Sequence, residues 1–303
     1  MAKWIRIATP TLLGATAILA LAAGPVSIRV DANLVLIPVS VTDSTNHPIV
    51  SIAADRFRIF EGGAEQKVLR VSTDDAPLSV GIVFDTSASM EGKLNGARKA
   101  VSEFLKSANP ADEFFLVSFS DTARVAVPFT SDPDDLDRQL SRTTPKGKTA
   151  LLDALYLARD AMKSARNPRR ALLVISDGGD NHSRYTATEL RRVLQETDLW
   201  VYAISICPAG SQPIPEAAGD ESQLLSDLAE ATGGRHYSVQ RSSDLSEAAA
   251  KIGLALRNRY LLVYCPSTAG SDGKYHPVHV KLVAPRGFHL TWRPGYYAPN
   301  SLR

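Results

Sequence analysis

Between Leu78 and Val239 the chain alternates nearly continuous apolar runs with stretches of helical periodicity, and this alternation narrows its architecture more than any other feature. The runs "LSVGIVF", "EFFLVSF", "RALLVIS" and "LWVYAIS" lack the polar alternation of a half-solvated strand. Such runs suit strands covered on both faces by helices. Leu94, Ala97, Val101, Phe104 and Leu105 recur at helical spacing, as do Leu152, Leu155, Ala158 and Met162 within 149–165. "DPDDLDRQL" opens a short helix, further helices begin near Thr186 and Ser222, and "ARVAVPF" and "RHYSV" add two strands. The pattern predicts an α/β fold: a doubly wound, mostly parallel six-stranded sheet flanked by helices. "ARVAVPF" is expected to form a hairpin with the strand before it.

The flanks have a different texture. "SIRVDANLVLIPVSVTD" alternates apolar and polar residues, "NHPIV" makes a turn, and "DRFRIFEGG" and "AEQKVLRVST" read as two strands around Gly62–Gly63. After a helix across 243–257 come "RYLLVYCP", "YHPVHVKLVA" and "FHLTWRPGYYAP". About three strands a side are few for an independent core. Residues 26–77 and 258–299 are therefore expected to fold together into one small β-sandwich, into which the 78–257 domain is inserted. Trp292, Tyr296 and Tyr297 are expected in the sandwich core rather than on a binding surface.

The first residues read as an address. Lys3 and Arg6 precede "IATPTLLGATAILALAAG", and Ala20 and Ala22 fit a signal-peptide cleavage site after residue 22. The apolar run is short of the roughly 20 residues of a full bilayer span, so export is the expectation and an uncleaved N-terminal anchor the alternative. No cysteine near the cut suggests a lipid anchor. Cys207 and Cys265 suit no zinc motif. They are expected to stay unpaired, because a disulfide tolerates only about 7 Å between Cα atoms and the two should lie at opposite ends of the sheet. A net charge of +2 without a Lys/Arg stripe argues against nucleic acid.

Ligands of open α/β sheets bind beyond the carboxyl ends of the strands. Asp85 ends the first central strand in "FDTSAS", Asp177 follows "ALLVIS", and Thr149 sits in the loop entering the long middle helix. Three loops thus gather Asp85, Ser87, Ser89, Thr149 and Asp177, all oxygen donors without sulfur or imidazole. Oxygen-only sites suit hard cations, and octahedral geometry with retained water suits magnesium. Taken singly, Asp85 and Ser89 read equally as helix caps, Asp177-Gly178 as a turn and Thr149 as an N-cap. Asp180 and Asn181 are expected to stabilise the loop, and the histidines lack ligand spacing. Enzyme readings fail: Arg142 stands where a P-loop's first glycine belongs, and neither G-x-S-x-G nor a G-x-G-x-x-G after the first strand occurs.

"DTSAS", the separated threonine of "KGKTAL" and "ISDGGDN" together resemble the metal-ion-dependent adhesion site of von Willebrand factor type A (VWA) domains. The resemblance covers about residues 78–257, including "LAEATGGRHYSV". The flanks resemble those of bacterial exported proteins carrying this domain. The resemblance implies that Ser87 and Ser89 coordinate a divalent ion through hydroxyls, and Thr149, Asp85 and Asp177 directly or through water. The ion would be Mg²⁺, with Mn²⁺ or Ca²⁺ as alternatives, keeping an open position beside Met90, Glu91 and Lys93. It further implies a non-catalytic, secreted, periplasmic or envelope adhesion protein that engages an exposed Asp or Glu of a protein partner. No nucleic acid or small-molecule substrate is expected, and a membrane only if the N-terminus is uncleaved. The alternative is a structural or accessory part of an envelope or secretion assembly, with a structural metal.

Overall fold

In the computed structural model, residues 34–74, 76–177, 179–207, 220–267, 272–283 and 287–299 are described. The expected signal segment, 1–22, lies outside them. The N-terminal flank supplies β1 (Val35–Thr42), β2 (Phe57–Glu61), β3 (Ala64–Gln66) and β4 (Val68–Asp74). Then follow β5 (Leu78–Asp85), α1 (Leu94–Leu105), β6 (Glu113–Phe119), β7 (Ala123–Thr130), α2 (Pro133–Ser141) and α3 (Leu151–Ala161). The layer continues through β8 (Arg169–Ser176), α4 (Ala187–Gln195), β9 (Leu199–Ile206), α5 (Asp220–Thr232), β10 (His236–Val239) and α6 (Ser242–Arg257). The closing flank is β11 (Arg259–Tyr264), β12 (Tyr275–Leu282), β13 (His289–Trp292) and β14 (Gly295–Tyr297).

The central sheet runs β10-β9-β8-β5-β6-β7. Its pairs are parallel except for the β6–β7 hairpin. Every residue of β5, β6 and β9 is buried, as continuous apolar runs demand. Val80, Ile82 and Phe84 of β5 pack with α1, α2 and α6, whereas Val83 packs with the layer containing α3, α4 and α5. Gly81 leaves room for that second layer, since a Cβ there would sit 2.3 Å from Phe115 Cζ and 2.7 Å from Leu172 Cδ2.

Both flanks join in a sandwich of two four-stranded sheets, β13-β1-β11-β4 and β14-β12-β2-β3. β1 pairs with β11 and β13, and β2 with β12, so each sheet needs both flanks. Ile37, Val39, Phe57, Ile59, Leu262 and Val280 fill the space between. Each flank holds four strands rather than the expected three. "AEQKVLRVST" divides at Lys67, because β3 pairs with β2 in one sheet while β4 pairs with β11 in the other. "FHLTWRPGYYAP" divides in the same way at Arg293–Pro294, where proline has no N–H to give a ladder. Trp292 and Tyr296 pack against the sandwich core, but Tyr297 is exposed. Both cysteines are free. Among the described residues no helix is long and apolar enough to cross a membrane.

Candidate metal centre at the strand ends

β5 delivers Asp85, fully buried, to the carboxyl edge of the sheet. Its Oδ1 accepts the Ser87 N–H at 2.8 Å, and its Oδ2 accepts the Ser176 hydroxyl at 2.5 Å from the end of β8. Thr86 anchors the turn by donating its N–H and hydroxyl to the Phe119 carbonyl, at 2.8 and 2.7 Å. Ala88–Met90 then form one 3₁₀ turn ahead of α1. Met90, one of the residues expected beside the open position, is not at the surface. It is fully buried among the α1-side core residues, because the turn points it back under the sheet edge.

The hydroxyls connect what the strands position. Ser87 Oγ lies 3.0 Å from Ser89 Oγ, and Ser89 Oγ donates to Asp177 Oδ1 at 3.0 Å. Lys93, expected beside the open position, donates its Nζ to Asp177 Oδ2 at 2.8 Å. Thr149, 3% exposed, is brought alongside by backbone bonds. Gly147 accepts the Ala88 N–H at 3.0 Å, and the Lys146 N–H donates to the Thr86 carbonyl at 2.9 Å. The Thr149 N–H donates to Asn181 Oδ1 at 3.0 Å, and its carbonyl accepts the Asn181 and His182 N–H groups. Asp180 accepts the Leu151 and Leu152 N–H groups at the start of α3, so these two residues do stabilise the loop. Gly147 takes a φ of +78°, a conformation that L side chains rarely adopt, so a substitution there is strained.

Burial pushes the Asp85 carboxyl up from its ordinary value; the Ser176 and Ser87 bonds oppose this and the charge of Asp177 adds to it. Among the described residues, the cation bonded to the cluster is Lys93, which sits on Asp177. The Ser176 hydroxyl bond to Asp85 and the Lys93 contact with Asp177 were not expected from the sequence. Ser176 had a signal, being the last residue of a strand beside β5; Lys93 had none, since only the path of the turn aims it at Asp177.

The family model described as the von Willebrand factor type A domain matches residues 80–179. Over these residues the chain is similar to a VWA domain. A von Willebrand factor type A structure from Catenulispora acidiphila aligns over 89% of this chain and 75% of its own, at 13% identity and a TM-score of 0.52. Proximal thread matrix protein 1 from the mussel byssus aligns over 65% of this chain and 51% of its own, at 17% identity and a TM-score of 0.52. BatB, a conserved hypothetical protein from Bacteroides thetaiotaomicron, aligns over 59% of this chain and 98% of its own, at 20% identity and a TM-score of 0.47. At these identities the first two likenesses show a shared fold and no more. No curated protein matches the chain.

Among the described residues, no group of three or more His, Cys, Asp or Glu side chains is arranged to hold a metal ion. The strand-end cluster is instead two carboxylates joined by serine hydroxyls. That donor chemistry fits a hard divalent cation, which takes oxygen ligands and tolerates neutral ones. A cation beside Asp85 would also offset the cost of keeping a carboxylate buried.

Proposed function

We propose that this chain is a non-catalytic exported binding protein whose VWA domain engages a protein partner through a divalent cation at the strand ends. The observation that carries the reading is the run of hydrogen bonds from Asp85 through Ser87 and Ser89 to Asp177. Asp85, Ser87, Ser89, Thr149 and Asp177 would hold the ion, with Mg²⁺ the best match to an all-oxygen set and Mn²⁺ or Ca²⁺ as substitutes. Bound there, the ion supplies a Lewis-acidic point that attracts a carboxylate. The chain's own residues set the sign: Asp85, Asp177 and Lys93 sum to one negative charge, so a divalent ion leaves the site net positive and selects an acidic group on the partner. The surrounding loops exclude all but a fitting surface.

Calorimetric titration with MgCl₂ tests the centre. Wild-type protein is expected to bind one ion and Asp85→Asn none, with unchanged circular dichroism. Asp85→Ala suits the test less well, because the buried Ser87 N–H and Ser176 hydroxyl would lose their acceptor, at about 1–3 kcal/mol. Capture of partners from envelope extracts should disappear with EDTA and with Ser87→Ala. The Lys93–Asp177 ion pair favours a second reading, a structural or accessory component whose loops hold together without exchangeable metal. Capture that survives both treatments would establish that reading instead. Export rests on Lys3, Arg6 and the apolar run before Ala22. Mass spectrometry of protein from the native host should find a new N-terminus near Ala23, and an intact Met1 on cytosolic protein would refute it.

A further inference from the structure

A cavity of about 360 Å³ opens one residue from the candidate centre, bounded by Thr86, whose neighbours Asp85 and Ser87 belong to that centre. Arg124, Arg142 and Lys146 line it together with hydroxyl side chains, and no carboxylate does. All three cations are exposed. Among the described residues none of the three forms an ion pair, although arginines nearby do: Arg138 with Asp135, Arg159 with Asp160, Arg184 with Asp153. Among the described residues, the Arg124 side chain is held by Nε donating to Ser118 Oγ at 3.3 Å. The cavity that adjoins the Thr149 loop mixes both signs, with Arg184 in its lining paired to Asp153. It measures about 500 Å³, and Asp121, Asp153 and Asp160 are among its walls. An acidic chain leaving the metal would therefore find uncompensated cations along one wall and the Asp153 and Asp160 carboxylates, already paired with arginines, along the other.

We infer that the pocket of Arg124, Arg142 and Lys146 binds a second acidic side chain of the partner, so that the VWA domain reads an acidic segment with two carboxylates rather than one. This rests on the proposed metal-bridged reading for the first carboxylate. The second enters a pocket of cations without ion pairs among the described residues, together with hydroxyl groups, whose positive charge favours an anion and repels an ammonium group. The pocket begins at the residue next to the metal ligands. Acidic residues two or three positions apart, about 7–10 Å in an extended chain, span that step.

The probes are biotinylated peptides with one aspartate, or with two aspartates two or three residues apart, tested on the full chain by surface plasmon resonance with MgCl₂. The two-acid peptides are expected to bind about five- to tenfold more tightly, the size two partly exposed charge pairs supply together. That advantage should shrink in high salt. Arg142→Gln with Lys146→Gln should erase it while leaving the Mg²⁺ titration and single-acid binding as in wild type. Both side chains are exposed, so folding should be retained, and circular dichroism checks this. Failure of the metal reading is distinguishable: EDTA would then leave single-acid binding unchanged, and the two-acid advantage would still depend on Arg142 and Lys146. The inference is overturned if two-acid peptides gain nothing, if the gain survives the double substitution, or if neither peptide binds at millimolar concentration.

Discussion

Lys93 governs how strongly the candidate centre can hold a cation, because its ammonium already neutralises Asp177 from 2.8 Å. A divalent ion entering beside Asp177 meets that positive charge. Lys93→Met should therefore tighten Mg²⁺ binding by about three- to tenfold, roughly 1 kcal/mol for a partly exposed charge. Calorimetry of the two proteins side by side measures it, and equal affinities would mean that the ammonium does not face the ion. Asp85 works in the other direction. Its buried carboxylate organises the turn through Ser87 and Ser176 whether or not an ion is present, so part of its value is structural.

Among the elements, the β9–β10 pair carries a pH dependence of its own. His236 opens β10, and its Nε2 lies 2.8 Å from Ser205 Oγ on β9. Burial pushes its pKa down from 6.5 to about 4. The unfolded chain therefore binds this proton more readily than the native one. The associated stability is complete above about pH 6.5 and is lost as the pH falls through about 4. The loss amounts to up to about 3 kcal/mol. Urea unfolding at pH 7, 5.5 and 4 should show that decline in wild type, and His236→Gln should lose this contribution to it. A variant whose acid decline matched wild type would place the sensitivity elsewhere. Strand periodicity could place β10 but could not reveal that its histidine is enclosed, which depends on what packs over it.

Across the whole molecule, the sandwich is closed by contacts between chain ends more than 200 residues apart. Glu61 of β2 accepts the Tyr264 hydroxyl at 2.7 Å and the Tyr296 hydroxyl at 3.2 Å, and its other neighbour is His276 Nδ1 at 2.8 Å. One buried carboxylate thus links β11 in one sheet with β12 and β14 in the other. Glu61→Ala would strand those partners inside the protein, at a cost of roughly 3 kcal/mol. Glu61→Gln, which keeps an acceptor, should cost less. Chemical denaturation gives both values, and a Glu61→Ala protein as stable as wild type would show that the network relaxes without loss.

The order of apolar runs and helical patterns from Leu78 to Arg257 was enough to specify the six-stranded α/β sheet, because a strand buried on both faces leaves no polar positions and a helix leaves every third or fourth apolar. The same pattern put Asp85 and Asp177 at one edge, since residues that follow parallel strands emerge at their carboxyl ends, and Thr149 beside them in the loop entering the long middle helix. Local patterning could not show where "AEQKVLRVST" and "FHLTWRPGYYAP" change sheets, because a strand looks the same whichever neighbour its backbone bonds to. Nor could it show that Met90 turns inward while Lys93 turns to Asp177. Those side chains are three residues apart in one short turn, and their directions follow from the packing of α1 beneath the sheet and the carboxylate that β8 presents from across it.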